Sequence, residues 1–282
     1  MSNLKPLETG VIFWASNDKP AAEQLQALKA LGVSCAQLGL SGDFIATGKA
    51  AEWKAACASE GFTLLTVTAA YSGEDYADIP TVERTVGFIP PATRAEREAR
   101  TIELCDFAAA VGIPVFACHI GFVPHDKTNE NYIAVQAMVR RICEHCAKLG
   151  MSFHLETGQE PADVLLDFLK DTNCANLAIN FDPANMILYG TSDPIEAMEI
   201  LKGHIRSVHV KDGDWPDKDK PGSLGTEKPL GQGSVGMERY IAKLKEIGYA
   251  GPLVIEREGT DPERWKQDVT MAIAMMHRLV SA

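Results

Sequence analysis

The chain has 282 residues, 46% of them hydrophobic and 23% charged, which is enough to bury one large core. No segment is dominated by a few residue types, so disordered, collagen-like and coiled-coil proteins are excluded. The formal net charge of −11 argues against nucleic-acid binding, because that binding depends on clustered lysine and arginine side chains.

The first ten residues lack the basic segment and the apolar run that are typical of a signal peptide. No apolar stretch approaches the roughly 20 residues that cross a bilayer. We therefore expect a soluble, cytoplasmic protein that does not bind membranes. Its seven cysteines are expected to be reduced thiols, since a chain of this length does not need disulfides to be stable.

Eight short apolar segments are predicted to be β-strands. Six of them follow, within three residues, a glycine that ends a helix-like segment, and glycine is the residue that best adopts the left-handed conformation there. The predicted strands are 10–14, 33–38, 62–67, 113–118, 151–156, 177–181, 205–210 and 252–256.

Between the strands, apolar residues recur at helical spacing. Three helix starts place an acidic residue before proline, at Glu160-Pro161, Asp193-Pro194 and Asp261-Pro262. The predicted helices are 21–31, 46–60, 94–111, 132–149, 161–169, 194–201, 237–247 and 262–280.

This alternation, repeated eight times, predicts parallel strands joined by helices, in a single α/β (β/α)8 TIM barrel domain over residues 1–282. A doubly wound sheet is disfavoured, since it commonly has five or six strands and its GxGxxG fingerprint does not follow the first strand. Two loops, 71–92 and 212–235, are too long to be simple connections. Both follow carboxyl ends of strands, where barrel enzymes carry their lids.

Four polar residues are predicted to lie at the carboxyl ends of consecutive strands: Glu156, Asp182, His209 and Glu256. Three neighbouring carboxylates and an imidazole would repel one another and lose hydration unless a cation lay among them. The pattern therefore predicts one divalent metal ion. Oxygen ligands with one nitrogen favour Mn²⁺, Mg²⁺ or Co²⁺, although Zn²⁺ or Ni²⁺ can also bind such a site.

The segments His-Leu-Glu156-Thr-Gly, Asn-Phe-Asp182-Pro-Ala-Asn, Val-His209-Val-Lys-Asp and Val-Ile-Glu256-Arg-Glu, in this order, resemble the xylose isomerase-like TIM barrel superfamily of sugar isomerases and epimerases. In ketose 3-epimerases of that group, the four matching positions bind one divalent metal. The resemblance also implies that Glu156 and Glu256 are the catalytic acid and base, which move a proton on carbon next to the carbonyl of a small ketose or keto-polyol.

The sequence departs from that pattern at two positions. Asn185 stands where those epimerases usually carry histidine, and Trp215 stands where they often carry arginine. The superfamily also contains dehydratases and lyases, which use the same metal to acidify a C–H bond before a β-substituent leaves. A metal-dependent lyase of a keto-polyol or keto-glycoside is therefore the alternative function.

Three further residues are candidates for substrate binding at the barrel mouth. His119 ends the fourth strand, Lys211 has the same parity as His209, and Trp14 ends the first strand. Each has an alternative structural interpretation, as a hydrogen-bonded histidine, a solvated lysine and a core aromatic residue. His154 has the parity of Glu156 and should lie deeper in the barrel, in a structural role.

Other functional classes fit less well. A periplasmic sugar-binding protein would carry a signal peptide and would not need the acidic quartet. An abasic-site endonuclease of the same superfamily needs more histidine and acidic ligands for a multi-metal cluster than seven histidines provide. The expected partner is a small carbohydrate, and related barrels often form homodimers or homotetramers.

Overall fold

The computed structural model describes residues 4–281, which contain ten strands and ten helices. The strands are β1 (Thr9–Trp14), β2 (Cys35–Leu40), β3 (Thr63–Ala69), β4 (Val115–Cys118), β5 (Ser152–Glu156), β6 (Leu177–Phe181), β7 (Ile205–Val210), β8 (Asp212–Asp214), β9 (Thr226–Lys228) and β10 (Leu253–Ile255). The helices are α1 (Ala21–Lys29), α2 (Ala50–Glu60), α3 (Ile79–Thr85), α4 (Pro91–Val111), α5 (Glu130–Lys148), α6 (Ala162–Thr172), α7 (Pro183–Leu188), α8 (Pro194–Leu201), α9 (Met237–Glu246) and α10 (Pro262–Ser281).

Eight parallel strands close into one barrel in the order β1-β10-β7-β6-β5-β4-β3-β2, which confirms the predicted (β/α)8 fold. Every predicted barrel strand is present, with bounds within two residues of those expected. The strands are apolar on both faces because one face fills the barrel and the other packs against the helices. The carboxyl ends of all eight strands therefore meet at one mouth.

The helix ends show where the glycine pattern held and where it failed. Gly61 and Gly112 follow α2 and α4 in the left-handed conformation, as expected. Gly203 does not have a positive φ, so it is no left-handed cap. Asn173 takes that role after α6, with φ of 53°, because asparagine tolerates this region better than most residues.

One predicted helix cap is wrong. The first residue of α6 is Ala162, and its N-cap is Pro161, with no capping side chain. The Glu160 carboxylate instead accepts a hydrogen bond from the Val123 backbone N–H at 2.9 Å and joins the loops that follow β4 and β5. The expected caps at Asp193 and Asp261 are confirmed by their hydrogen bonds to helix N–H groups.

The structure adds four elements in segments that the sequence predicts to be loops. Helix α3 forms within 71–92, α7 directly follows β6, and β8 and β9 pair as an antiparallel hairpin within 212–235. The two long loops touch, since the Ile79 N–H donates to the Gly222 carbonyl at 2.9 Å. A small apolar cluster beneath them consists of Val82, Val86 and Tyr189, with Ile79, Phe122 and Leu224 at its edge.

A buried carboxylate fixes the base of the second long loop. One Asp212 oxygen accepts from the N–H groups of Gly231 and Gly233, and the other accepts from Val235. Gly233 passes so close that a Cβ there would contact the Asp212 carboxylate. The carboxylate therefore holds the loop against the mouth and lies apart from the site chemistry.

None of the described helices is long and apolar enough to cross a membrane. All seven cysteines are free thiols, as expected. The domain bounds at residues 1–282, the cytoplasmic location and the dimeric or tetrameric state stay predictions.

Candidate metal centre

The four predicted ligands lie together at the barrel mouth. Glu156 is the last residue of β5, Asp182 and Glu256 directly follow β6 and β10, and His209 is the next-to-last residue of β7. Each side chain offers one donor atom, and these atoms lie within 4.8 Å of one another. All four residues are buried, two of them completely. The carboxyl ends of the strands therefore bring these four side chains together, as the alternation of strands and helices predicts.

The His209 ring is at the centre of the group. Its Nδ1 atom lies 2.9 Å from Glu256 Oε2, 3.3 Å from Glu156 Oε1 and 3.4 Å from Asp182 Oδ2. Neighbouring ligands of a six-coordinate cation with bonds of about 2.1 Å are separated by about 3 Å. The three observed separations match that spacing.

Three of the converging atoms make no hydrogen bond: His209 Nδ1, Asp182 Oδ2 and Glu256 Oε2, of which the last lies 3.3 Å from the Lys211 ammonium group. Buried polar atoms without partners are rare, because each costs a desolvation penalty. Here the three lie together, and all are strong metal-donor types. A divalent cation would satisfy them simultaneously, so the residues fit the metal that the sequence predicted.

The other ring nitrogen of His209 is already used. His209 Nε2 lies 2.8 Å from Gln37 Oε1 on β2, and Thr68 Oγ1 on β3 donates to the same oxygen at 3.1 Å. The Gln37 amide also donates to Asn180 Oδ1 at 3.2 Å. His209 Nε2 also lies 3.1 Å from the Asn180 amide nitrogen, so Gln37 is its acceptor when Nε2 carries the proton. In that tautomer Nδ1 has the lone pair that a metal would accept.

Asp182 has two separate contacts. Its Oδ1 accepts from the Asn185 N–H at 2.9 Å and caps α7, while Oδ2 faces His209. The Asp182 backbone is fixed by Thr157, whose hydroxyl accepts from its N–H at 2.8 Å. The Asp-Pro pair at 182–183 is the same helix-start signal as Asp193-Pro194, so α7 was detectable from sequence.

The charges of the cluster act strongly on one another. Burial alone would lower the pKa of His209, but the Glu256 and Glu156 carboxylates raise it well above its usual value. Burial would raise the pKa of Glu156, but the His119 and His209 rings hold it well below its usual value. The concentrated negative charge that attracts a proton to His209 would equally attract a cation.

A cavity of about 540 Å³ opens above the cluster, within the range of small-ligand pockets. The three candidate substrate-binding residues Trp14, His119 and Lys211 line it together with Glu156 and Glu256. His119 Nε2 lies 3.4 Å from Glu156 Oε1, and its Nδ1 atom has no partner. Burial alone would lower the pKa of His119, but Glu156 and Glu74 raise it to about 9.

Lys211 is buried rather than solvated. Its Nζ atom lies 3.2 Å from Glu258 Oε2, 3.3 Å from Glu256 Oε2 and 3.4 Å from Asn185 Oδ1. Burial opposes its charge, but Glu256 and Glu258 raise its pKa well above the usual value. Its position beside the metal ligands fits the substrate-binding interpretation.

The two residues that depart from the epimerase pattern, Asn185 and Trp215, lie in different parts of the structure. The Asn185 amide donates to Glu156 Oε1 at 3.2 Å, and its oxygen accepts from Lys211, so this residue lies within the site. Trp215 lies outside it, in a separate surface groove with Ile79 and Lys218. Only the first departure can affect chemistry directly.

Sequence reasoning missed several residues around the site. Gln37 was visible as a polar residue inside an apolar strand, and Glu258 stands two residues after Glu256, as Lys211 does after His209. Tyr76 and Glu227 come from the two long loops, and Tyr189 follows α7. No local signal could have located these three, because loop conformation decides which side chains reach the mouth.

A model of the xylose isomerase-like TIM barrel family matches residues 25–275. The chain belongs to this family. A xylose isomerase domain protein from Planctomyces limnophilus, known from its crystal structure, is 42% identical, with a TM-score of 0.90, and the match covers 96% of this chain and 97% of that one. The two proteins therefore share the whole fold described above.

More distant structures show the fold alone. D-psicose 3-epimerase from Clostridium cellulolyticum H10 is 16% identical over 96% of this chain and 99% of its own, with a TM-score of 0.70. The probable 3-DHS dehydratase AsbF from Bacillus anthracis is 15% identical over 96% and 98%, with a TM-score of 0.67. Two further proteins are each 27% identical in sequence to this chain. The matched region spans 60% of the length of the first and 46% of the length of the second.

Proposed function

We propose that the protein is a divalent-metal-dependent isomerase or epimerase that moves a proton next to the carbonyl of a small ketose or keto-polyol. The observation that carries this proposal is the convergence of three unpartnered, buried donor atoms at the floor of a ligand-sized cavity. A buried acidic cluster without such unpartnered atoms would be explained by internal hydrogen bonds.

Glu156, Asp182, His209 and Glu256 would hold the ion, with Mg²⁺, Mn²⁺ or Co²⁺ fitting three oxygens and one nitrogen best. A bound cation would supply Lewis-acid stabilisation of negative charge on the carbonyl and hydroxyl oxygens of the substrate. The proton transfer itself falls to residues of the chain.

Glu156 and Glu256 are the proposed acid and base. They come from β5 and β10, which are separated in the barrel by β6 and β7, so they approach a substrate from different sides. Glu156 is oriented by His119 and Asn185, and Glu256 by Lys211. One carboxylate would remove the proton on its side while the other returns one. Return to the same carbon inverts its configuration, and return to the former carbonyl carbon moves the carbonyl group to its neighbour.

His119, Lys211 and Trp14 are proposed to bind the sugar. Lys211 and His119 present N–H donors to hydroxyl oxygens, and Trp14 offers an aromatic face at the cavity rim. The loop formed by residues 212–235 contributes Leu224, Gly225 and Glu227 to the wall and would exclude water during proton transfer.

The decisive experiment follows solvent deuterium by NMR. Metal-loaded protein is incubated in D₂O with a panel of ketoses and keto-polyols, beside the variants Glu156→Gln and Glu256→Gln. We expect deuterium at the carbon next to the carbonyl with the carbon skeleton kept, and a loss of about 10² to 10⁴-fold in exchange rate in each variant. Exchange in no member of the panel, with the metal bound, would contradict the proposal.

His119 supports a second candidate, a metal-dependent dehydratase or lyase. Its unpartnered Nδ1 atom and its contact with Glu156 place a third proton-carrying group beside the two glutamates. Elimination requires such a group to protonate the departing substituent. The same NMR experiment separates the two functions, because a lyase product lacks water or another β-substituent.

A further inference from the structure

The charged groups of the cavity wall restrict which substrate can enter. Among residues 4–281, the wall contains a single ammonium group, that of Lys211, and no guanidinium group. The ammonium is already engaged by two carboxylates, Glu256 and Glu258, at 3.3 and 3.2 Å. The two carboxylates therefore balance its positive charge and weaken its attraction for an anionic substrate.

The guanidinium group of Arg257, which lies between Glu256 and Glu258 in the sequence, is also paired with carboxylates. Arg257 lies 2.8 Å from Glu227 and 2.9 Å from the buried Asp268, and it is not one of the residues of the cavity wall. The Glu258 N–H donates to the Glu227 carboxylate at 3.0 Å, which fixes the backbone of Glu258 at the mouth. These contacts hold the Glu258 side chain beside Lys211.

Each cationic group at the mouth is already paired with a carboxylate. Glu156, Asp182 and Glu256 carry one negative charge more than a divalent ion supplies, and the His119 ring, which can carry a further positive charge, is paired with Glu156 at 3.4 Å. Glu258 cancels Lys211, and Glu227 is neutralised by Arg257. A phosphate or carboxylate group on a substrate would thus find no unpaired cation and would bring additional negative charge beside the carboxylates, and like charges brought together at an interface oppose binding.

The rest of the wall suits an uncharged polyol. The aromatic residues Trp14, Tyr76 and Tyr189, with Leu188 and Leu224, provide apolar faces for the C–H groups of a sugar ring. The Trp14 and Tyr76 side chains are each 41% exposed, at the cavity entrance. These apolar faces offer no positive charge to a phosphate group.

We infer that the cavity binds an uncharged keto sugar or keto-polyol rather than a sugar phosphate or sugar acid. Glu258 determines this specificity by forming an ion pair with Lys211. This inference rests on the proposed function, since it names the substrate class of the same site. Phosphate esters and free sugars share the reacting carbonyl group, so only the distal group distinguishes them.

The test compares ribulose with ribulose 5-phosphate and fructose with fructose 6-phosphate. Binding to the Mg²⁺-loaded protein is measured by isothermal titration calorimetry, and deuterium exchange is followed in parallel. We expect each free sugar to bind at least about tenfold more tightly than its ester. In Glu258→Gln, which leaves Lys211 less engaged, we expect this preference to fall severalfold, while Glu144→Gln, an equal charge change on the exposed surface of α5, leaves it unchanged.

Three outcomes would overturn the inference: an ester that binds as tightly as its parent sugar, failure of both free sugars to bind, or an unchanged preference in Glu258→Gln. The proposed function is judged separately. If free sugars bind selectively but exchange no deuterium, the proposed function fails and the specificity inference stands. If the esters bind and exchange, the proposed function stands and the specificity inference fails.

Discussion

Two buried histidines lie inside the same barrel, at opposite ends. His154 lies near the amino ends of the strands, where its Nε2 and Nδ1 atoms are 3.0 and 2.8 Å from the hydroxyl groups of Ser152 and Ser207. His209 lies at the mouth, where Gln37 satisfies only one ring nitrogen and the other faces three carboxylates. Both rings are almost fully buried, so burial does not distinguish them.

What distinguishes the two histidines is the remaining hydrogen-bonding capacity. The small neutral hydroxyl groups around His154 can donate or accept as the ring requires, so this network is closed. Carboxylates cannot donate when ionised, so the network around His209 stays open until a proton or a cation completes it. A candidate metal site is therefore better recognised by convergent unpartnered atoms than by residue types alone.

The largest expected difference between the two ends concerns metal content. His209→Ala removes the central ligand and should abolish stoichiometric metal binding, whereas His154→Ala should retain about one ion per chain. Metal analysis after dialysis measures both. Equal metal content in the two variants would show that the mouth is not the metal centre.

A second prediction concerns the support of His209. Gln37→Leu removes the acceptor for His209 Nε2 and should weaken metal affinity about 10 to 100-fold, because such partners fix the tautomer and orientation of a ligand. Thr68→Val removes only a donor to the same Gln37 oxygen and should have a smaller effect. Competition with a metal-binding dye measures both affinities. If Thr68→Val lost more affinity than Gln37→Leu, the assigned tautomer would be wrong.

The third prediction is a pH dependence of stability at the amino end. Burial, and to a smaller extent Arg206, lowers the pKa of His154 to about 4, below the value near 6.5 of an unfolded histidine. Between these two values the unfolded chain binds more protons than the folded chain, so stability falls as the pH decreases from about 6.5 to 4. Urea unfolding across this range should show a shallower pH slope for His154→Gln. Parallel slopes in the two proteins would contradict the assignment.

The smallest expected effects concern two exposed tryptophans. Trp14→Ala should raise KM by about 2 to 10-fold, since an aromatic contact contributes about 0.5–1.5 kcal/mol. Trp215→Ala should change KM less than twofold, because Trp215 lies outside the cavity. Steady-state kinetics on the substrate identified by deuterium exchange compare the two. A larger effect at Trp215 would move the sugar site toward the second groove.

Much of the fold was predictable from sequence because its signals are local. A helix that ends at Gly112 and a strand that ends at Glu156 are read from neighbouring residues, and repetition of the unit implies a closed barrel. The site followed from the same logic, since parallel strands in a barrel bring Asp182 and Glu256 to one end wherever they lie in the chain. These predictions needed periodicity and topology only.

The remaining features depended on tertiary contacts. Gln37 contacts His209 across 172 positions in sequence, and no local pattern encodes that hydrogen bond. The engagement of Lys211 by Glu258 likewise depends on how the residues after β7 and β10 approach one another. Sequence alone determined the barrel and predicted which four side chains converge at its mouth, because both follow from repeating local rules. Only the tertiary structure decided which donor atoms remain unpartnered and which charges are already neutralised, because those depend on distances of a few ångströms between distant parts of the chain.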